Sequence, residues 1–209
     1  ILFGYDIASA PCDRMEGQTL EQHFEKDSDG NLFADFALVH VKNGAQRNET
    51  EYPILPVSTR IPDIGETVYL LGHPGAIPIT YTETQVLNVF KTKGTDGQNY
   101  PLIQLNATST GGNSGGPLVD TSGKALATAS FVNRIPSADG STLGPEHIFA
   151  FSHQGSAQRS PLFASIVEDN SQPRFEQVDQ NNAPVTQLSS CDFGQFYYPQ
   201  VRNLFAKQH

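Results

Sequence analysis

The chain has 209 residues, a formal net charge of -9, and only 13 Lys+Arg. With no basic cluster it is not built to hold nucleic acid, and without an apolar run of about 18 residues it has no membrane-spanning helix. Its 18 glycines and 14 prolines favour short strands and turns.

Residues 1–7 read as a strand, and the chain opens on an apolar segment as if inside a fold, with no visible signal peptide. Residues 8–31 read as polar and irregular, ending in the turn cluster Asp27-Ser-Asp-Gly-Asn31. A calcium loop there would need a distal ligand glutamate, which is missing, so no metal site is expected. Leu32 to Val41 alternates like a strand. Asp35 stands among its apolar residues, and a carboxylate buried there needs a partner or costs several kcal/mol. It is a candidate for orienting a histidine.

Tyr52 to Val57 reads as an edge strand with Pro53 and Pro56, and residues 58–65 as a link. Glu66 to Gly75 reads as a strand ending in a turn that holds His73. Thr82 to Lys93 is a long alternating strand, residues 95–99 a hairpin tip, and Leu102 to Asn106 a further strand.

The stretch Thr108 to Val119 carries Gly-Asn-Ser-Gly-Gly-Pro, with Ser114 between Asn113 and Gly115. A serine that attacks a carbonyl must project from a tight turn whose backbone N–H groups face the developing oxyanion. Side chains there would block the substrate, which suits glycine at 112, 115 and 116. Leu118 to Asp120 then pairs through Thr121-Ser-Gly123 with Lys124 to Val132. Pro136 to Gly144 is a loop, His147 to Ser152 a strand, and Ser160 to Glu168 a short helix with proline in its first turn. Residues 169–190, rich in Gln, Asn, Asp and Pro, form a polar excursion, and Phe196 to Ala206 a docked terminal helix. No internal repeat is present.

The run Thr110-Gly-Gly-Asn-Ser-Gly, with Asp-Phe-Ala-Leu-Val upstream in the order aspartate then serine, resembles the trypsin-like serine proteases, nearer their glutamyl-endopeptidase and bacterial branches. The resemblance covers roughly residues 32–168. It implies an all-β fold of two antiparallel barrels of chymotrypsin type, the first incomplete in this chain, with a short C-terminal helix. Residues 1–60 would be the partial first barrel, 61–168 the second with the nucleophile loop, and 169–209 the polar excursion and tail. It implies Ser114 as nucleophile, Asp35 as the orienting carboxylate, and the N–H groups of Gly112 and Ser114 as the oxyanion hole. The substrate pocket would be lined by Thr108, Ser109, Ser130, Phe131 and Val132, with Ser130 hydrogen-bonding near Asp35. No cofactor is implied, and the partner is a peptide or protein substrate.

Several departures shape the expectation. Asn113 stands where pancreatic relatives carry the aspartate that pairs with a freed N-terminus, so activation of that type is not expected and Ile1 is coincidental. Thr108 replaces the aspartate of Arg/Lys-cleaving relatives, Ala129 the pocket histidine of glutamyl endopeptidases, and Val132 a common glycine. A small or medium apolar residue at the cleaved position is expected. No histidine sits in a run resembling Thr-Ala-Ala-His-Cys. His23, the only one upstream of Asp35, lies in a charged, solvent-like stretch; His40 points to the other face of its strand; His147, His153 and His209 lie downstream. The expected base is therefore on a segment or second chain upstream of residue 1. The alternatives are a non-catalytic binding module that never had a base, and catalysis by His23.

Cys12 and Cys191 form either one disulfide or two separate buried thiols. Asn48-Glu-Thr50 and Asn106-Ala-Thr108 match the glycosylation acceptor pattern and, with the resemblance, favour a secreted or otherwise extracytoplasmic protein.

Overall fold

The computed structural model describes residues 2–3, 13–14, 17–27, 30, 32–41, 55–76, 80–107, 111–136 and 143–170. More than half of this is strand. In chain order the elements are β1 (Leu2–Phe3), β2 (Asp13–Arg14), β3 (Gly17–Lys26), β4 (Leu32–Val41), β5 (Thr67–Gly72), a 3-10 turn (Pro74–Ala76), β6 (Thr80–Lys93), β7 (Asn99–Leu105), β8 (Pro117–Asp120), β9 (Ala125–Pro136), β10 (Leu143–Ser152), α1 (His153–Arg159) and α2 (Pro161–Asn170).

Six strands close into an antiparallel barrel in the order β10-β7-β6-β5-β8-β9. Closure removes free sheet edges. Alternation along β5 sends Val68 and Leu70 inward to meet Val86, Ile103, Leu105, Leu118 and Ile148, with Ala127, Ala129 and Ala150 filling the narrow parts. Each large side chain buried here contributes about 1.5–3 kcal/mol. The all-β expectation therefore holds, and the closed barrel is built from strands between Thr67 and Ser152. The helix expected over 160–168 is α2, preceded by the separate turn of helix α1.

β3 and β4 form an antiparallel hairpin beside the barrel. Here the expectation of an irregular 8–31 fails, because residues 17–26 are a ten-residue strand. The alternation that marks a strand was hidden because the barrel-facing positions of β3 are Glu21, His23 and Glu25, not apolar residues. Glu25 is buried and ion-paired to Arg159 of α1, which also holds Asp96 at 2.5 Å. Glu21 accepts from the Ser160 hydroxyl and contacts His23. These charges latch the hairpin to the barrel next to an aromatic seam, in which Phe33 and Phe36 of β4 pack on Tyr100 and Phe151. The hairpin's opposite face leaves Leu20 49% and Phe24 57% exposed.

Two other expectations fall only partly on described residues. Within 1–7 the described strand is Leu2–Phe3. Of the edge strand over 52–57, the described part is a single parallel bridge from Val57 to Ala125. The terminal helix over 196–206, both cysteines and the polar excursion beyond Asn170 lie outside the described residues.

His153, the first residue of α1, is buried; its Nδ1 lies 3.0 Å from the Ala125 carbonyl and its Nε2 3.2 Å from the Thr128 hydroxyl. Burial pulls its pKa down to about 4, against the carbonyl, which favours the charged form. The folded state thus binds this proton less readily than the unfolded chain. The stability it allows is fully present above about pH 6.5 and is lost as pH falls from there to about 4, a loss of roughly 3 kcal/mol. Urea unfolding across this range should show the loss, and His153→Gln should flatten it. A His153→Gln variant with the wild-type acid slope would refute the assignment.

Candidate active site

Ser114 sits in the loop between β7 and β8, and three sets of backbone hydrogen bonds fix that loop. Within it, the Gly116 N–H donates to the Asn113 carbonyl at 2.9 Å. Gly115, the third residue of this turn, has φ 81, as a type II turn requires. Ser114 is thus the second residue of a tight turn, and it is exposed. On one side the loop is tied to β9: Gly115 N–H donates to Ala129 O, and Ala129 N–H to Gly116 O, both at 2.8 Å. On the other it is tied to the turn after β5: His73 N–H donates to Gly112 O at 3.1 Å and Gly75 N–H to Gly111 O at 2.7 Å.

The glycines are fitted to these contacts. Gly112 has φ 113, and a Cβ on it would overlap the His73 carbonyl oxygen; one on Gly116 would overlap the Leu71 carbonyl oxygen. Gly72 lies so close to Asn113 that a Cβ would overlap its side-chain oxygen. Asn113 is only 6% exposed and carries no charge, so the site needs no cation to compensate it. Among the described residues, neither the Gly112 nor the Ser114 N–H donates to a backbone carbonyl.

Beyond Ala129, β9 pairs with β10, Phe131 opposite Phe149 and Val132 opposite Ile148. The Phe131 and Phe149 rings are stacked at 5.1 Å. Val132 is 43% exposed. The Ser130 hydroxyl is buried and finds no hydrogen-bond partner among the described residues, so its expected bond near Asp35 is not made there. Thr108 and Ser109 lie outside the described residues.

Asp35 corrects the expectation of a buried carboxylate. It is exposed, cross-strand from Phe24, on the face of the hairpin turned away from the aromatic seam. Past the register shift that skips Phe33, side chains alternate from Ala34 on, and Ala34 and Phe36 are the buried neighbours. His23 is also displaced from the solvent-like setting expected of it. It is cross-strand from Phe36 and stacked on that ring at 4.6 Å, with Nε2 3.2 Å from Glu21. His23 and Asp35 therefore occupy opposite faces of the hairpin, which removes His23 as a base oriented by Asp35.

Of the other histidines, His147 contacts the Leu105 carbonyl, His153 is buried at α1, His40 is exposed, and His209 lies outside the described residues. None of these contacts involves Ser114 or Asp35. Among the described residues no group of His, Cys, Asp and Glu is arranged to hold a metal ion. The contribution that sequence reasoning missed is the turn around His73. It was assigned as a turn after a strand, and its role in tying down the Ser114 loop shows only in the backbone, although Gly72 and Gly75 around His73-Pro74 were a signal of close approach.

In solved structures the fold is similar to Rv3671c from M. tuberculosis H37Rv, in the inactive form of a mutant, at 19% identity and a TM-score of 0.50, over 72% of this chain and 66% of that one. The serine endoprotease from Yersinia pestis matches at 21% identity and a TM-score of 0.38, over 71% of this chain and 50% of that one. The chain thus spans less than two thirds of the length of either. No curated protein matches the sequence. The trypsin-like peptidase domain matches residues 10–127, more than half of the chain, and the chain therefore belongs to the trypsin-like peptidase family.

Proposed function

We propose that the complete protein is a serine endopeptidase that hydrolyses peptide bonds through an acyl-enzyme. The observation that carries this is Ser114 itself, exposed at the second position of a turn anchored on both sides, after three residues, Gly111, Gly112 and Asn113, whose carbonyls are already hydrogen-bonded. A histidine takes the Ser114 proton as the oxygen attacks the scissile carbonyl. The N–H groups of Gly112 and Ser114 hold the oxyanion. The histidine then gives the proton to the leaving amine, and water attacks the acyl-serine in the same way.

That histidine lies on polypeptide upstream of residue 1, as a continuous segment or a second chain. The same polypeptide covers the exposed hairpin face of Leu20 and Phe24, and Asp35 on that face orients the histidine. The Ser130 hydroxyl, without a partner among the described residues, suits a carboxylate acceptor at the junction. Thr108, Ser109, Ser130, Phe131 and Val132 line the pocket, which takes a small or medium apolar residue. The substrate is a peptide or protein met in a secreted or extracytoplasmic setting; Asn106, one of the two acceptor asparagines, is exposed. The competing reading, a non-catalytic binding module on a protease scaffold, draws on the lack of any described histidine contact with Ser114 or Asp35.

A fluorophosphonate probe separates the two. The folded full-length protein is expected to take the label, and peptide mass mapping to place it on Ser114. A folded full-length protein that takes no label is the binding module.

A further inference from the structure

We propose that the backbone N–H of Gly75 is a positioning group that holds the oxyanion-binding peptide in its working orientation, so that the oxyanion hole is preformed. The inference rests on the reading of Ser114 as nucleophile and goes beyond it to what keeps the hole open.

A trans peptide carries its C=O and N–H on opposite sides, and no described peptide bond here is cis. The Gly111 carbonyl and the Gly112 N–H belong to the same peptide. Gly75 N–H holds that carbonyl at 2.7 Å, so the Gly112 N–H points away from the turn after β5. The next carbonyl, that of Gly112, is held on the same turn by His73 N–H. The Asn113 carbonyl is held by Gly116 N–H, which turns the Ser114 N–H away from Gly116. Both oxyanion donors are therefore aimed by hydrogen bonds to the carbonyls of their own peptides.

Of these anchors, the one from Gly75 controls the peptide most able to rotate. It lies between Gly111 and Gly112, and neither residue has a Cβ to resist rotation. A half-turn would replace the Gly112 N–H in the hole by the Gly111 carbonyl, which repels an oxyanion. The turn is built to prevent this. Gly75 has φ 65 and ψ 24, a left-handed conformation that directs its N–H toward Gly111 straight after Pro74. A Cβ on Gly75 would meet nothing within 4 Å, so no crowding of a side chain there accounts for the glycine. Pancreatic-type relatives brace this region through an aspartate that pairs with a new N-terminus. Asn113 cannot, and the Gly75 anchor supplies a brace that needs no charge.

The test removes the donor and little else. In the full-length protein, Gly75→glycolic acid exchanges one N–H for an ester oxygen and keeps the left-handed backbone. Gly97→glycolic acid makes the same exchange at the hairpin tip between β6 and β7, where Gly97 N–H bonds Gly94 O at 2.9 Å. Gly75→Asn keeps the N–H, and asparagine tolerates left-handed backbone. For a peptide anilide with a small apolar residue at the cleaved position, the Gly75 ester is expected to lower kcat about tenfold to a hundredfold with KM changed less than about twofold. This lies below the roughly 10²–10³ lost with an oxyanion donor outright. Affinity for a peptide boronic acid should fall in parallel, with Tm no lower than that of the Gly97 ester. Gly75→Asn and the Gly97 ester should keep wild-type kcat and boronate affinity. Wild-type kcat and boronate affinity in the Gly75 ester, or a loss matched only by the unfolded fraction, overturns the inference and leaves the protease reading standing. A wild-type protein that takes neither boronate nor fluorophosphonate at Ser114 overturns both.

Discussion

Ser114→Ala is expected to lower kcat/KM of the complete protein by a factor of roughly 10⁵–10⁶ and to leave its thermal stability almost unchanged. The two halves of this prediction come from one location. Ser114 is exposed on a turn whose hydrogen bonds are all made by the backbones of its neighbours, so deleting one oxygen removes no described packing or pairing. A surface substitution of this kind changes stability by no more than about 0.5 kcal/mol. The same oxygen is the atom that must form the acyl bond. Residual turnover of roughly 10³–10⁴ over water should persist, from binding and from the oxyanion donors. Parallel measurements of peptide hydrolysis and of Tm decide it. A variant that keeps more than a few per cent of wild-type turnover would show that another residue attacks.

The second barrel was legible in the sequence because its strands carry the ordinary signal of one face buried and one exposed. Val68 and Leu70 alternate with Thr67 and Tyr69, and the turn residues fall where the chain reverses. The Ser114 loop was legible for a different reason: glycines at close-approach positions leave a pattern in composition. The β3 strand was not, because its barrel-facing side chains are Glu21, His23 and Glu25, and their partners Arg159 and Ser160 lie more than a hundred residues away. An ion pair of that kind leaves no periodicity to read. Asp35 failed for a related reason. Its neighbours Ala34 and Phe36 were read correctly as buried, but alternation then sends Asp35 to the other face. Its setting depends on what covers that face. Trypsin-family membership was legible from the serine run; the anchoring of the oxyanion peptide was not, since hydrogen bonds between backbones do not depend on side-chain identity.

That last contact sets the other large effect. Gly112→Ala is expected to lower kcat at least 10²–10³-fold and to destabilise the fold by about 1–3 kcal/mol. Gly115→Ala should cost only about 1 kcal/mol of strain at its left-handed φ. The contrast is one of space. Both glycines have positive φ, 113 and 81, but a Cβ on Gly115 meets nothing within 4 Å, whereas one on Gly112 overlaps the His73 carbonyl oxygen. That oxygen belongs to the backbone of the turn which donates His73 N–H to Gly112 and Gly75 N–H to Gly111. It cannot move aside as a side chain would without breaking those two bonds. The loop must shift instead, and the peptide carrying the Gly112 N–H shifts with it. Loss of catalysis in Gly112→Ala should therefore exceed what its fall in Tm accounts for at the assay temperature. The steady-state rate per folded molecule, taken from activity and melting curves of both variants, measures the excess. Equal rates per folded molecule for Gly112→Ala and Gly115→Ala would mean that the Gly112 peptide does not bind the oxyanion.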